Sequence, residues 1–305
     1  MKEFSRNALK QAEGFLVTQA RPLEQALFAK FIRNGPSDWA LSELAAFQNS
    51  DGGFGHGLEP DLQLSDSNIL ATTVALQQLR GLQVSSDHPM VLGVMHYLME
   101  TYDGSAMAWP FVPPQVDDAP HAPWWQYSSD LTQYLANPRA EIVCYLFDYA
   151  GLVPEDLREK LLTAVIEYLE NLSGQLSMHD LLCYVRLVET KNLPDGPRDR
   201  LLSLLQPQIS SGVETDPTAW EGYGLRPLMV APSASSIFSD LLQQSIDENL
   251  DFEIEQQQGD GSWSPSWSWG DSYKDAWLHA KRAWKGVLTV NMVISLSSYG
   301  RIESL

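Results

Sequence analysis

Apolar positions recur three and four residues apart over most of this chain, the spacing of helices that bury one face. Over residues 157–170 the stripe is strict. Leu157, Leu161, Val165 and Leu169 fall on one side, and Arg158, Glu159, Glu167 and Glu170 on the other. That pattern predicts an outer helix with one wet face. Over 69–79 apolar residues occur all round, which predicts a helix buried on both sides. Further helices are predicted over 4–19, 23–33, 39–47, 67–80, 90–101, 138–149, 154–172, 178–190, 197–209, 235–257 and 287–296. Pro22 sits where a first-turn proline is tolerated, Gly35-Pro36 stops one helix, and Ser37 or Asp38 caps the next. Ser65 or Asp66 is the expected cap of the helix over 67–80, and Gly81 its end. No stretch alternates as a strand would.

Two stretches break the helical pattern. Residues 103–123 hold Trp109-Pro110-Phe111-Val112-Pro113-Pro114 and His121-Ala122-Pro123, followed by Trp124-Trp125 and Tyr127. Their prolines forbid a helix, and a long aromatic loop in a compact fold is usually functional. Residues 216–234 form a second such stretch around Trp220-Glu221-Gly222-Tyr223-Gly224.

A glycine-rich turn, Gln48-Asn49-Ser50-Asp51-Gly52-Gly53-Phe54-Gly55, joins a helix end to the apolar helix after it. It returns late in the chain as Gln258-Gly259-Asp260-Gly261-Ser262-Trp263. Such recurrence predicts helical hairpins of roughly 40–55 residues, about six of them in this length. Both recognisable copies lead into an apolar helix rather than a polar cap. The expectation is therefore an all-α (α/α)6 toroid, a single domain over 1–305, closed where its first and last units cover each other.

These turns resemble the repeats of squalene and terpenoid cyclases and of protein prenyltransferase β subunits. The run Gly53-Phe54-Gly55-His56-Gly57-Leu58-Glu59-Pro60-Asp61, with Pro123-Trp124-Trp125 and Trp284-Lys285-Gly286-Val287-Leu288-Thr289-Val290, looks most like small uncharacterised bacterial members of that superfamily. The resemblance implies inner helices around a central cavity. It does not bring the chemistry with it. Where the cyclases carry Asp-x-Asp-Asp, this chain has Ser65-Asp66-Ser67-Asn68. If Asp66 matches the zinc-binding Asp of the transferases, Asn68 stands where Cys is needed, and no histidine lies between Gly286 and Leu305. No Asp-Asp-x-x-Asp motif is present. Neither a metal nor a cofactor is implied.

Composition narrows the partners. Thirty-nine acidic against 20 basic residues give a net charge of -19, a surface that repels nucleic acid. No apolar run approaches the roughly 18 residues of a membrane span, and the first residues lack a secretory core, so the expected location is cytoplasmic. Cys144 and Cys183 each lie in an apolar helical stretch and read as core residues. His179 shares a helix face with Cys183, but no third orienting group is evident.

The candidate catalytic residues are Glu59, Asp61, His56 and Asp66, at one end of the expected cavity. Glu59 and Asp61 fit an acid and a base, or a grip on a cation or hydroxyl, and equally well a cap on helix amides. His56 would suit proton transfer near neutrality. Trp109, Trp124, Trp125, Tyr127, Trp220, Glu221, Trp267, Trp269 and Asp271 are candidate ligand contacts, with loop anchoring the alternative for the aromatics. Trp263 is expected to brace adjacent helices. The favoured partner is an apolar, isoprenoid-like small molecule handled by acid/base chemistry. The rivals are a sugar processed by paired carboxylates and stacking aromatics, and a binding toroid without catalysis.

Overall fold

The computed structural model describes residues 1–303. Among them are twelve α-helices and no strand, only isolated β-bridges. In chain order they are α1 (Arg6–Gln19), α2 (Pro22–Arg33), α3 (Ser37–Ala45), α4 (Ile69–Gly81), α5 (Pro89–Glu100), α6 (Arg139–Asp148), α7 (Glu155–Glu170), α8 (Met178–Val188), α9 (Asp195–Gly212), α10 (Pro227–Val230), α11 (Gln243–Gln256) and α12 (Lys274–Ser298). No helix among the described residues is long and apolar enough to cross a membrane. The chain forms two compact units: Met1–Ala46 with the chain from Val213 onward, and Phe47–Gly212.

The unit over Phe47–Gly212 is built of three helical hairpins. Helix α4 packs on α6 and α6 on α8, and each is backed by the helix that follows it, α5, α7 and α9. The sequence explains the layering. Every residue of α6 from Arg139 to Phe147 is buried, whereas α7 buries only Leu161, Leu162, Val165, Ile166 and Leu169, leaving its charged side in water. Helix α4 is buried nearly all round, as its composition predicts. Its cap is Asn68, whose Oδ1 accepts from the Ala71 amide at 2.8 Å, rather than Ser65 or Asp66.

In the other unit α12 packs on α1 and α2, and α2 on α3. Helix α12 runs for 25 residues, starting well before the predicted 287. The stretch 235–242 is turns, and α11 begins only at Gln243, because the serines of 233–239 bond to one another and to nearby backbone instead of continuing a helix. Residues near the two ends of the described chain meet in this unit. The Phe4 amide donates to the Arg301 carbonyl at 2.6 Å and Phe4 pairs in parallel with Ile302. Arg301 Nε donates to the Lys2 carbonyl at 2.7 Å, and its guanidinium pairs with Asp247 and Asp251.

The two glycine turns share the hydrogen bonds of their glutamine, their glycine and their closing aromatic, while their aspartates differ: Asp51 accepts from Ser67 and Asp260 pairs with Lys285. Gln48 corresponds to Gln257, not Gln258. Each carboxamide donates to the carbonyl four residues on (Gly52 and Gly261) at 2.9 Å, and also to a neighbouring helix, at Met90 O and Ala8 O. Gly52 and Gly261 hold left-handed φ of 89° and 91°. The Phe54 and Trp263 amides each donate at 3.1 Å to a threonine hydroxyl, of Thr72 on α4 and Thr289 on α12. A Cβ on Gly52 would strike Gly93 of α5, and one on Gly261 would strike Gln11 of α1. Helix α1 therefore stands to α12 as α5 stands to α4: the first helix of the chain completes its last hairpin.

Candidate functional site

The Glu59-Pro60-Asp61 segment follows the first glycine turn and is held by backbone pairing to the end of the aromatic loop. The Ala122 amide donates to the Asp61 carbonyl at 2.7 Å, the Gln63 amide donates to the Pro120 carbonyl at 2.9 Å, and Leu62 bridges His121 antiparallel. Both carboxylates are buried, Glu59 at 6% exposure and Asp61 at 3%. Two carboxylates so enclosed carry a desolvation cost that ordinary surface acids avoid. His56 and Asp66 sit differently: both are exposed. His56 takes a left-handed φ of 54° and its Nε2 lies 2.9 Å from Asn49 Oδ1. The four residues thus share a loop but divide into a buried pair and a solvent-facing pair.

His121, which the sequence reading passed over, belongs to this site. It is buried, its Nδ1 lies 2.8 Å from the Ala119 carbonyl oxygen, and its Nε2 is 3.7 Å from Asp117. A carbonyl can only accept, so Nδ1 carries the proton, and an Asp117 carboxylate faces the other nitrogen. The paired backbone, not the sequence spacing, brings this imidazole to the segment after Asp61.

The aromatic loop provides both anchors and exposed rings. Trp109 is fully buried and its Nε1 donates to the Leu98 carbonyl at 2.8 Å, which ties the loop to the end of α5. Phe111 packs on Trp125 and edge-on to Tyr134, at 5.5 and 5.7 Å between centroids. Its carbonyl accepts from the Leu70 amide in the first turn of α4. Trp124 and Tyr127 remain 47% and 45% exposed. The Trp125 indole N–H is buried without a hydrogen-bond acceptor among the described residues.

The remaining candidates lie in the other unit. Trp220 is buried, donates from Nε1 to the Glu214 carbonyl at 2.8 Å and packs edge-on against Phe252; Glu221 beside it is exposed. Trp267 lies edge-on to Tyr223 and Trp284, and Trp269 is buried against Trp277. Asp271 is exposed and pairs with Lys274 one turn on. Trp263 braces α11, its Nε1 donating to the Glu253 carbonyl at 3.0 Å.

A charged network across α4, α6 and α8 was not legible from sequence. Glu141 Oε1 accepts from Gln77 Nε2 at 2.8 Å and from the Tyr145 hydroxyl at 2.6 Å, while Oε2 accepts from Arg186 at 3.0 Å. Arg80 pairs with Asp148 at 3.2 Å and donates to the Arg186 carbonyl. Arg80, Asp148 and Arg186 are partly exposed, so this helix face presents charge rather than hydrocarbon. Cys144 and Cys183 lie within the network, fully buried, and burial pushes both thiols well above their ordinary range. Neither is a thiolate near neutrality, so a cysteine nucleophile is disfavoured. Compared with protein-family models, with curated proteins and with solved structures, the chain matches none.

Proposed function

We propose that the chain is a helical-repeat protein of the cyclase and prenyltransferase toroid type, and that its loop pair 55–64 and 119–127 binds a small hydroxyl-rich ligand of the carbohydrate class. The toroid reading is supported by the shared glutamine, glycine and aromatic contacts of the two glycine turns and by α1 completing the hairpin of α12. One observation carries the ligand reading: two buried carboxylates are fixed by backbone pairing against a segment bearing two exposed aromatic rings. Carboxylates accept hydrogen bonds from sugar hydroxyls, aromatic faces stack on the apolar side of a sugar ring, and the buried Trp125 N–H offers a donor. Glu59 and Asp61, with His121 beside them, are the groups placed to move a proton.

The isoprenoid reading rests on the glycine turns. The charged face of α4, α6 and α8 argues against hydrocarbon as the ligand there, since burying ion pairs against an apolar chain would strip their water. Intrinsic tryptophan fluorescence titrated with a panel of soluble oligosaccharides, and in parallel with farnesyl diphosphate, separates the two. A saturable response to an oligosaccharide that Trp124→Ala and Glu59→Gln each weaken at least about tenfold, equivalent to about 1.4 kcal/mol, is expected. A response to farnesyl diphosphate alone would return the assignment to the isoprenoid class.

A further inference from the structure

The Arg139 side chain begins α6 in an unusual setting. It is 3% exposed, and no carboxylate pairs with it among the described residues. Its acceptors are three backbone carbonyls: Leu135 from Nε at 2.8 Å, Met107 from Nη1 at 3.5 Å and Ala164 from Nη2 at 3.4 Å. The last two are at the outer limit of hydrogen bonding, and a guanidinium has five N–H groups to place. A buried cation without a counter-charge costs several kcal/mol, so a fold that keeps one has a use for it. Burial draws the group below its ordinary pKa, against the pull of the Tyr184, Tyr168 and Tyr102 phenols.

Arg139 lines a cavity of about 400 Å³ in which Met107, Leu135 and Leu172 supply apolar surface and Glu167, Asn171 and Ser173 polar surface. That volume is in the range of small-molecule sites, and the lining combines a hydrocarbon part with a few polar groups. Tyr168 lies 5.9 Å from the guanidinium, ring centroid to carbon. Two further features converge on the same group. The Tyr102 hydroxyl is buried with no hydrogen-bond partner among the described residues, and Tyr102 and Arg139 feel each other's charge. Met107, whose carbonyl faces the guanidinium, holds a left-handed φ of 53° in the tight turn closed by Asp103 and Ala108, a strained conformation for a side chain of that size.

We propose that this cavity binds a small carboxylate with an apolar body, its charge on the Arg139 guanidinium and the Tyr102 hydroxyl as the second donor. A single guanidinium with one neutral donor matches one negative charge. A phosphate monoester, nearer two, would be repelled more strongly by the Glu167 carboxylate that lines the same cavity. The site is separate from the carboxylate loop over 55–64, which repels anions, and it stands or falls independently of the sugar reading.

The test uses the full chain carrying 13C-methyl methionine, titrated with benzoate and 4-methylpentanoate and with their neutral amides. At least one carboxylate is expected to shift the Met107 methyl resonance saturably, with its amide at least about tenfold weaker. Tyr102→Phe is expected to weaken that carboxylate several-fold without lowering the unfolding midpoint, because the hydroxyl it removes has no partner to lose. Arg139→Lys keeps the charge but not the planar fork, and is expected to weaken it further. The proposal is overturned if neither carboxylate saturates by about 10 mM, a range that registers even millimolar affinity. Equal binding of acid and amide, or an unchanged affinity in Tyr102→Phe, overturns it as well. Should Arg139→Lys fail to fold, the acid–amide contrast and Tyr102→Phe decide.

Discussion

Gly52 and Gly93 meet with no room for a side chain: a Cβ on Gly52 would stand 2.1 Å from the Gly93 carbonyl oxygen. Gly52 also holds φ of 89°. The turn and α5 are therefore docked backbone to backbone, and Gly261 against Gln11 repeats the arrangement. Gly52→Ala and Gly261→Ala are each expected to cost at least about 2 kcal/mol, from left-handed strain plus overpacking. Gly14→Ala, in α1 with open space around the added Cβ, is expected to stabilise by about 0.5–1 kcal/mol. Urea unfolding of the three variants checks both signs.

Thr72 and Thr289 are fully buried and each accepts the amide hydrogen of the aromatic that closes its turn. Valine keeps the shape and removes the acceptor, stranding a buried N–H. Thr72→Val and Thr289→Val should each lose about 1–3 kcal/mol, and by similar amounts, because each removes the acceptor of the same turn-closing amide. Unequal losses beyond about 1 kcal/mol would show that the two turns are not energetic copies.

Acid should probe the second turn. Burial works to raise the Asp260 pKa, but hydrogen bonds from Lys285 and Ser262 outweigh it and hold the carboxyl below its ordinary 3.8. A lowered folded value contributes stability that is fully present above 3.8 and lost as pH falls through the folded value. The side chain is half exposed, so screening limits the effect to at most about 1 kcal/mol. Thermal melts from neutral pH downward should show Asp260→Asn less stable than the parent at pH 6, with the gap closing only below pH 3.8.

Cys144 and Cys183 supply a chemical readout of the helix layer. With both thiols buried and pushed up, neither should react appreciably with a thiol reagent such as Ellman's disulfide at pH 8 in the folded chain. Both should react on unfolding. Rapid reaction of one thiol in the native state would mean that the α4, α6 and α8 face opens locally.

Helix positions were legible because a three-four stripe and its flanking Pro and Gly are local signals. Most ends fall within two residues of the predicted ones. The errors have local causes too. Serines at 233–239 satisfied their own backbone and delayed α11, and Asn68 took the cap from Ser65 and Asp66. The turns were visible through their glycines, but the pairing of Gln48 with Gln257 is a matter of which amide reaches the neighbouring helix, and spacing alone misplaced it by one. Glu59, Asp61 and the tryptophans stood out by type. His121, Glu141 and Arg139 did not, because each also depends on a segment far along the chain: Leu62 pairs with His121, Gln77 donates to Glu141 and Ala164 accepts from Arg139.

The hairpin shared by α1 and α12 has a consequence for synthesis. Residues 47–212 are contiguous, so that unit has all its parts once its last helix leaves the ribosome. Residues 1–46 emerge first yet lack the surface that α12 supplies, and Phe4 has no Arg301 to bond until the far end appears. Residues 1–46 are therefore made before 47–212 yet sheltered after it, and nascent chains stalled before α12 should offer them to chaperones or proteases while 47–212 already resists both.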